Sequence, residues 1–402
     1  TYTLKDTIEL MKRDFAAVLA KGVGLWWYDM YGGWFDDAEI YDMVSVMKAE
    51  MDYSIAHPVQ NESEIAWVID DDLLTTTAYN FGATYSVLYG ANYLQKEQLA
   101  HIGAPYDSLY LSDLENGSAR SYKVYLISAV NIDAAEKAAI DALKKDGVTI
   151  LWYGIPGVYA EDGTVSADRI SEITGIDLAL TNESLNYNVR IVEDPAADSV
   201  AAGVGGLLYG DYDLGARNVT PMAYSVDDDA AVLGLLNGTE YAGLVEKTVQ
   251  GENGSWTSVY SSVSNIPAQV IRAALEKAGG HIYSENQTDA LFINSGYVGI
   301  SSPYGGTRTI RLKTACDVYD VFAKEYVAKN VTSFTVEMEA NGTRLFKTVP
   351  PGTVLEEPEL PESPGGGNIG LIIGLSVGGA VIVAAAVVVI VLLLRKKSRK
   401  NA

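Results

Sequence analysis

At 402 residues the chain has room for two or three domains, and 48% apolar with 20% charged residues describes a globular protein rather than a disordered one. A formal net charge of −23 excludes nucleic acid as a natural partner, because its phosphates would be repelled. The one cysteine, Cys316, leaves no intramolecular disulfide and no paired-cysteine zinc site. His57, His101 and His281 are far apart in sequence, so no metal or other cofactor is expected.

Residues 7–21 place Ile8, Leu10, Met11, Phe15, Val18 and Leu19 at helical spacing, which predicts a helix. Residues 22–28 then form an apolar, aromatic run that predicts a buried strand ending at Asp29. Gly32 and Gly33 let the backbone turn sharply before Trp34. In α/β folds ligands sit at the carboxyl ends of strands, so Asp29, Trp34 and Trp26 or Trp27 are candidate binding residues. Indole faces stack on the C–H faces of a sugar, while a carboxylate accepts hydrogen bonds from its hydroxyls. The same tryptophans would serve equally as core, since each buries a large apolar area. Asp36 and Asp37 open a second helix, favoured there by its dipole, which runs through Ile40, Met43, Val44 and Met47 towards Pro58. One strand and two helices cannot bury their own faces, so residues 1–58 read as the end of a larger α/β unit.

Residues 65–69 are a buried strand ending in Asp70, Asp71 and Asp72. Three adjacent acids suit a divalent cation, and more simply a solvated strand end with a helix cap. A helix over 76–99, strands at 109–111 and 124–128, a helix over 133–145 and a strand at 148–153 follow. A helix over 166–174 comes next, then short strands to a last one at 256–263 and a helix over 266–278. This alternation predicts a parallel, doubly wound sheet. The Gly-rich run at 203–206 lacks the Lys-Ser/Thr of a phosphate loop and reads as a turn. Residues 282–348 alternate as short strands at 291–294, 297–300, 309–312, 318–320, 334–338 and 343–346. With Asn341-Gly342 as a hairpin signal they predict a small antiparallel domain.

Residues 349–368 are a Pro-, Glu- and Gly-rich stalk. Residues 369–394 hold no charge and run into Arg395, Lys396 and Lys397; an apolar run longer than about 20 residues spans a bilayer as a helix, with the basic cluster inside. This predicts a single-pass cell-membrane protein, with everything before 368 facing outwards and residues 395–402 as a cytoplasmic tail. Thr1-Tyr2-Thr3-Leu4 is neither an export signal nor a Met start, so the chain is expected to be the C-terminal part of a longer protein. Nine Asn-x-Ser/Thr sequences, Asn61, Asn116, Asn218 and Asn341 among them, carry meaning only in a eukaryotic secretory setting.

The stretch Trp26-Trp27-Tyr28-Asp29-Met30-Tyr31-Gly32-Gly33-Trp34 resembles the last barrel strand of β-galactosidase-like glycoside hydrolases, and the helix leading into Gly22 fits that family too. The resemblance implies that residues 1–58 end a (β/α)8 barrel and that 59–281 are the family's glutamine-amidotransferase-like trimerisation domain. Tyr106-Asp107-Ser108-Leu109-Tyr110 and the turn 144–150 match that domain best. It implies a C-terminal β-sandwich-like domain at 282–348. Amidotransferase chemistry should be absent, because Gly154-Ile155-Pro156-Gly157 offers neither Cys nor Ser where the nucleophile would stand. Retaining enzymes of this kind use two carboxylates about 5 Å apart, which the family places on the fourth and seventh barrel strands, outside this chain. Trp26, Trp27, Asp29 and Trp34 are then substrate-binding residues. Carbohydrate is the implied substrate, and a homo-oligomer, a trimer, the implied assembly. The alternative is a non-catalytic surface protein that binds glycans or a partner through the same domains. Residues 60–348 are expected to fold without the first 58.

Overall fold

The computed structural model describes residues 3–71, 89–160, 163–210 and 219–355. The stalk beyond 355, the predicted membrane span at 369–394 and the basic tail all lie outside the described residues, as do Asp72, Asn218 and most of the helix expected over 76–99. Among the described residues no helix is long and apolar enough to cross a membrane.

In chain order the elements are α1 (Leu4–Lys21), α2 (Ala38–Ala56), β1 (Ile65–Ile69), a π-helical turn (Tyr89–Leu94), α3 (Gln95–Ala100), β2 (Tyr106–Tyr110), α4 (Leu111–Glu115), β3 (Val124–Ser128), α5 (Ala134–Asp141), β4 (Thr149–Tyr153) and α6 (Ala167–Thr174). There follow β5 (Leu178–Thr181), β6 (Asn188–Ile191), β7 (Leu208–Gly210), β8 (Met222–Ser225), β9 (Ala231–Leu236), β10 (Ala242–Gly251), β11 (Gly254–Ser261) and α7 (Ala268–Lys277). The chain continues with β12 (Ala290–Asn294), β13 (Tyr297–Ser302), β14 (Gly306–Asp320), β15 (Glu325–Met338) and β16 (Gly342–Val349).

The predicted doubly wound domain is present as a mixed sheet. Strands β2, β1, β3, β4 and β11 lie side by side and all parallel. These five strands alternate their side chains between two cores. Trp67, Leu126, Leu151 and Val259 face one layer, and Val68, Ile127, Trp152 and Tyr260 face the other. Burial on both faces explains why β1, β3 and β4 read as continuous apolar runs. Beyond β11 the sheet turns antiparallel through β10, β9, β6 and β7, with β5 and β8 joined at β10.

The second sheet is a single five-stranded antiparallel one, ordered β12-β13-β16-β14-β15. Two expectations change here. The strands foreseen at 309–312 and 318–320 are one strand, β14, bent by register shifts between Arg311 and Tyr319. Asn341 does adopt the left-handed turn (φ 60°), but the strands it joins are not partners, because β16 inserts between β13 and β14.

The N-terminal helices pack on this second sheet. They do not stand apart from the antiparallel sheet. Thr3 and Asp6 form a reciprocal cap that starts α1, and its face of Met11, Phe15, Ala16 and Leu19 lies on Tyr297 and Leu345 of the sheet together with Ile40, Met43 and Met47 of α2. Gly299 is the seat: a Cβ there would come within 2.8 Å of the Ala16 Cβ. Sheet and helices therefore share one core, and residues 60–348 without α1 and α2 would expose an apolar sheet face.

Candidate functional site

Gly22 ends α1 in the left-handed region (φ 66°), and the Val23 N–H reaches back to the Val18 carbonyl at 3.1 Å, closing the helix and aiming the chain outwards. The strand expected at 22–28 is not a strand: residues 23–29 have no regular secondary structure and belong to no sheet. Their burial nonetheless alternates with period two. Leu25, Trp27 and Asp29 are half-buried, whereas Trp26, Tyr28 and Met30 are exposed, Trp26 by 74%. That is the side-chain pattern of a strand with one face on a helix layer.

The four candidate residues divide accordingly. Trp27 turns inwards and lines an apolar groove of about 670 Å³ between α1 and α2, with Leu25, Val44, Met47 and Met51. Asp29 holds the turn: one carboxylate oxygen accepts from the Trp34 N–H at 3.1 Å, across Gly32 and Gly33 (φ 77° and 83°). The structure thus brings Asp29 and Trp34 together and sends Trp26 and Trp27 to opposite faces. Trp26 keeps company with Tyr28, ring centroids 5.7 Å apart, and Tyr31 lies 5.8 Å from Trp34. Tyr28 and Tyr31 are missed by reading the run as core. A strict alternation count from Leu25 to Met30 would have found Tyr28 on the face of Trp26. Two polar atoms, Trp27 Nε1 and Asp29 Oδ1, are buried without a hydrogen-bond partner.

A second cluster gathers where α1 ends. The Asp107 carboxylate on β2 accepts from Lys21 Nζ (2.8 Å), Asn61 Nδ2 (2.7 Å), Ser63 Oγ (3.1 Å) and the Tyr122 hydroxyl (2.9 Å), with Arg120 Nε at 3.7 Å. Burial alone would raise its pKa; the hydrogen bond and charge of Lys21, helped by Tyr122 and Asn61, outweigh that and hold the carboxyl below its usual value. A depressed folded pKa gives a stabilisation that is full above the unfolded value and is lost as pH falls through the folded one. Asp107→Asn should therefore flatten the loss of hydrogen-exchange protection around β2 as pH falls below about 4. A variant whose protection declines as steeply as the parent's would place the acid-labile group elsewhere.

The other expected features are quickly placed. Asp70 is buried and accepts from the Val130 N–H at 3.2 Å, and Asp71 accepts from the Ser112 hydroxyl. Among the described residues no group of three His, Cys, Asp or Glu is placed to hold a metal ion. At the carboxyl end of β4, Gly154 and Gly157 (φ 78° and 65°) make a tight turn around Ile155 and Pro156, with neither Cys nor Ser in it.

No family model matches the sequence, and no curated protein matches it either. Solved structures do match. The β-galactosidase from Bacillus circulans sp. alkalophilus superposes with a TM-score of 0.55 at 12% identity, over 78% of this chain and 46% of that one. A catalytic mutant of a GH42 β-galactosidase from G. stearothermophilus gives 0.52 at 14%, over 78% and 44%. The cold-adapted β-galactosidase from Rahnella sp. R3 gives 0.51 at 13%, over 77% and 44%. The fold resembles that of GH42 β-galactosidases. At such identities the likeness is one of fold alone, and the chain spans less than half the length of these structures.

Proposed function

We propose that the chain is the C-terminal part of a glycoside hydrolase similar to β-galactosidases, in which residues 22–34 supply sugar contacts and the catalytic carboxylates lie on strands outside it. One observation carries this reading: residues 24–30 have the alternation of a strand, lie between two helices in the order helix–strand–helix, and have no ladder. A strand without a ladder is a template for neighbouring strands. As a barrel strand, its helix-facing residues would be Leu25, Trp27 and Asp29, and its interior-facing ones Trp26, Tyr28 and Met30. Trp26 is then the stacking platform, with Trp34 at the rim beyond the strand end.

The test is hydrolysis of an aryl β-galactoside by this chain and by the complete gene product. The chain alone should be inactive and the complete product active. An inactive complete product overturns the proposal, and turnover by the chain alone that Asp29→Asn abolishes would make Asp29 catalytic. In the active protein, Trp26→Ala should weaken galactoside binding roughly tenfold, about 1.4 kcal/mol; an unchanged inhibition constant would remove Trp26 from the sugar site. With this reading go residues 1–58 as a barrel end, 59–281 as a trimerisation domain, and an outward-facing enzyme held at the cell membrane by residues 369–394. Copies tethered to one membrane meet at high effective concentration, which favours a closed homotrimer. Sedimentation of the ectodomain at micromolar concentration checks it, and a monomer would leave residues 59–281 as a spacer.

A further inference from the structure

The motif Tyr106-Asp107-Ser108-Leu109-Tyr110 matches the trimerisation domain best, yet nothing in the proposed function uses it. Its carboxylate is the point where three parts of the chain meet. Lys21, the last residue of α1, donates to Asp107 and to the Tyr106 carbonyl on β2. Asn61 and Ser63, in the connection into β1, donate to the same carboxylate. Arg120 braces the group by donating to the Asn61 carbonyl at 2.8 Å while lying over the Tyr122 ring. From the other sheet, the buried Asn294 amide at the end of β12 donates to the Leu19 and Ala20 carbonyls at 3.3 and 3.2 Å. The last turn of α1 is thus gripped from both sheets, and the aromatic segment leaves it one residue later at Gly22.

We propose that Asp107 is a positioning residue for the aromatic segment: through Lys21 it fixes where and in which direction Gly22–Trp34 leaves α1. The doubly wound domain, which has no nucleophile at its Gly154–Gly157 turn, is thereby a brace for a site on another part of the chain. Only the claim that this site is sugar-binding rests on the function proposed above; the bracing does not. Gly22 itself allows the exit its left-handed turn but does not choose its direction, since a Cβ there would meet nothing within 4 Å.

The test is a distance measurement on the full chain, with spin labels at Met30→Cys and Glu115→Cys in a Cys316→Ser background. Met30 is on the exposed face of the segment and Glu115 on the surface of the doubly wound domain. Lys21→Met should widen the distance distribution at least twofold, and Lys21→Arg should restore it. The Lys21 side chain is 47% exposed, so its replacement opens no cavity, and Asp107 keeps Asn61, Ser63 and Tyr122 as donors. Asp107→Asn, which keeps the shape but removes the charge and one of the two acceptor oxygens, serves as a second variant and should widen the distribution as well. Unchanged widths in both variants overturn the proposal. So does widening accompanied by equal loss of hydrogen-exchange protection in β1 and β3, which would make the pair a general fastener of the fold. Galactoside titration of the complete, unlabelled gene product, followed by tryptophan emission, is read separately. No response in the parent sinks the sugar reading and leaves the distance result to decide the bracing.

Discussion

Phe15→Ala is expected to destabilise the unit made of α1, α2 and the antiparallel sheet by about 3–5 kcal/mol. Phe15 is 3% exposed and shares its core with Leu19, Met43, Tyr297 and Leu345, which come from two helices and two strands. Truncation removes its transfer free energy and leaves a cavity that four separate elements would have to move to fill. Several cores exist in this chain, so one global unfolding midpoint is the wrong readout. Hydrogen exchange resolved by segment is the right one. Protection should fall in β13 and β16 and stay unchanged in β1, β3 and β4. Loss spread evenly over both sheets would show that the chain unfolds as one unit, and no loss at all would show that α1 does not support the sheet.

Lys347→Met should cost a similar amount, about 3–5 kcal/mol, for a different reason. Lys347 on β16 faces Tyr297 across the strand pair, and Glu50 of α2 descends between them: Lys347 Nζ and the Tyr297 hydroxyl each lie 2.6 Å from Glu50 Oε1. The Lys347 ammonium also sits 3.5 Å from the centre of the Tyr53 ring, on which His57 stacks. Lys347 and Glu50 are 6% and 5% exposed. Burial first, and then the Glu50 charge, push the Tyr297 phenol well above its ordinary pKa, so it remains a donor at any physiological pH. Without Lys347 the Glu50 carboxylate stays buried with the phenol as its remaining donor. Glu50→Gln combined with Lys347→Met should be milder than Lys347→Met alone, because no uncompensated charge is left. A double-mutant cycle isolates the coupling. If Lys347→Met by itself cost under about 1 kcal/mol, water would have to reach Glu50 and the network would be ordinary surface charge.

How much of this could be read from the residues follows from the range of the forces involved. The runs at 65–69, 124–128 and 149–153 announce themselves because strands buried on both faces must be apolar throughout. The helix caps at Thr3, Asp37, Asp133 and Ser166 are local too. Pairing is not local. The fifth parallel strand, β11, comes after a long antiparallel excursion, and nothing in its sequence says that it lies against β4. Asn341 correctly promised a turn and wrongly implied a hairpin, since turn chemistry fixes φ but not which strand will be the neighbour. At the candidate site, the aromatic run and Asp29 were legible as residue types. The run failed as a strand because ladder partners are a tertiary matter, and Lys21 and Asp107, 86 positions apart, carry no signal of their meeting.

The packing of α1 on β16 also sets a schedule for biosynthesis. The Thr343 N–H bonds the Glu9 carboxylate across 334 positions of chain, and the same two elements bury Phe15 and Leu19. Elongation at about 5–20 residues per second puts on the order of tens of seconds between the appearance of α1 and that of its platform. Throughout that interval the helix carries an unmatched oily stripe, and local propensity can form it but cannot hide it. Closing so long a loop is slow as well as late. The chain should thus depend on a holding chaperone for its first helix, and a burst of aggregation on rapid refolding should be relieved by making that stripe polar.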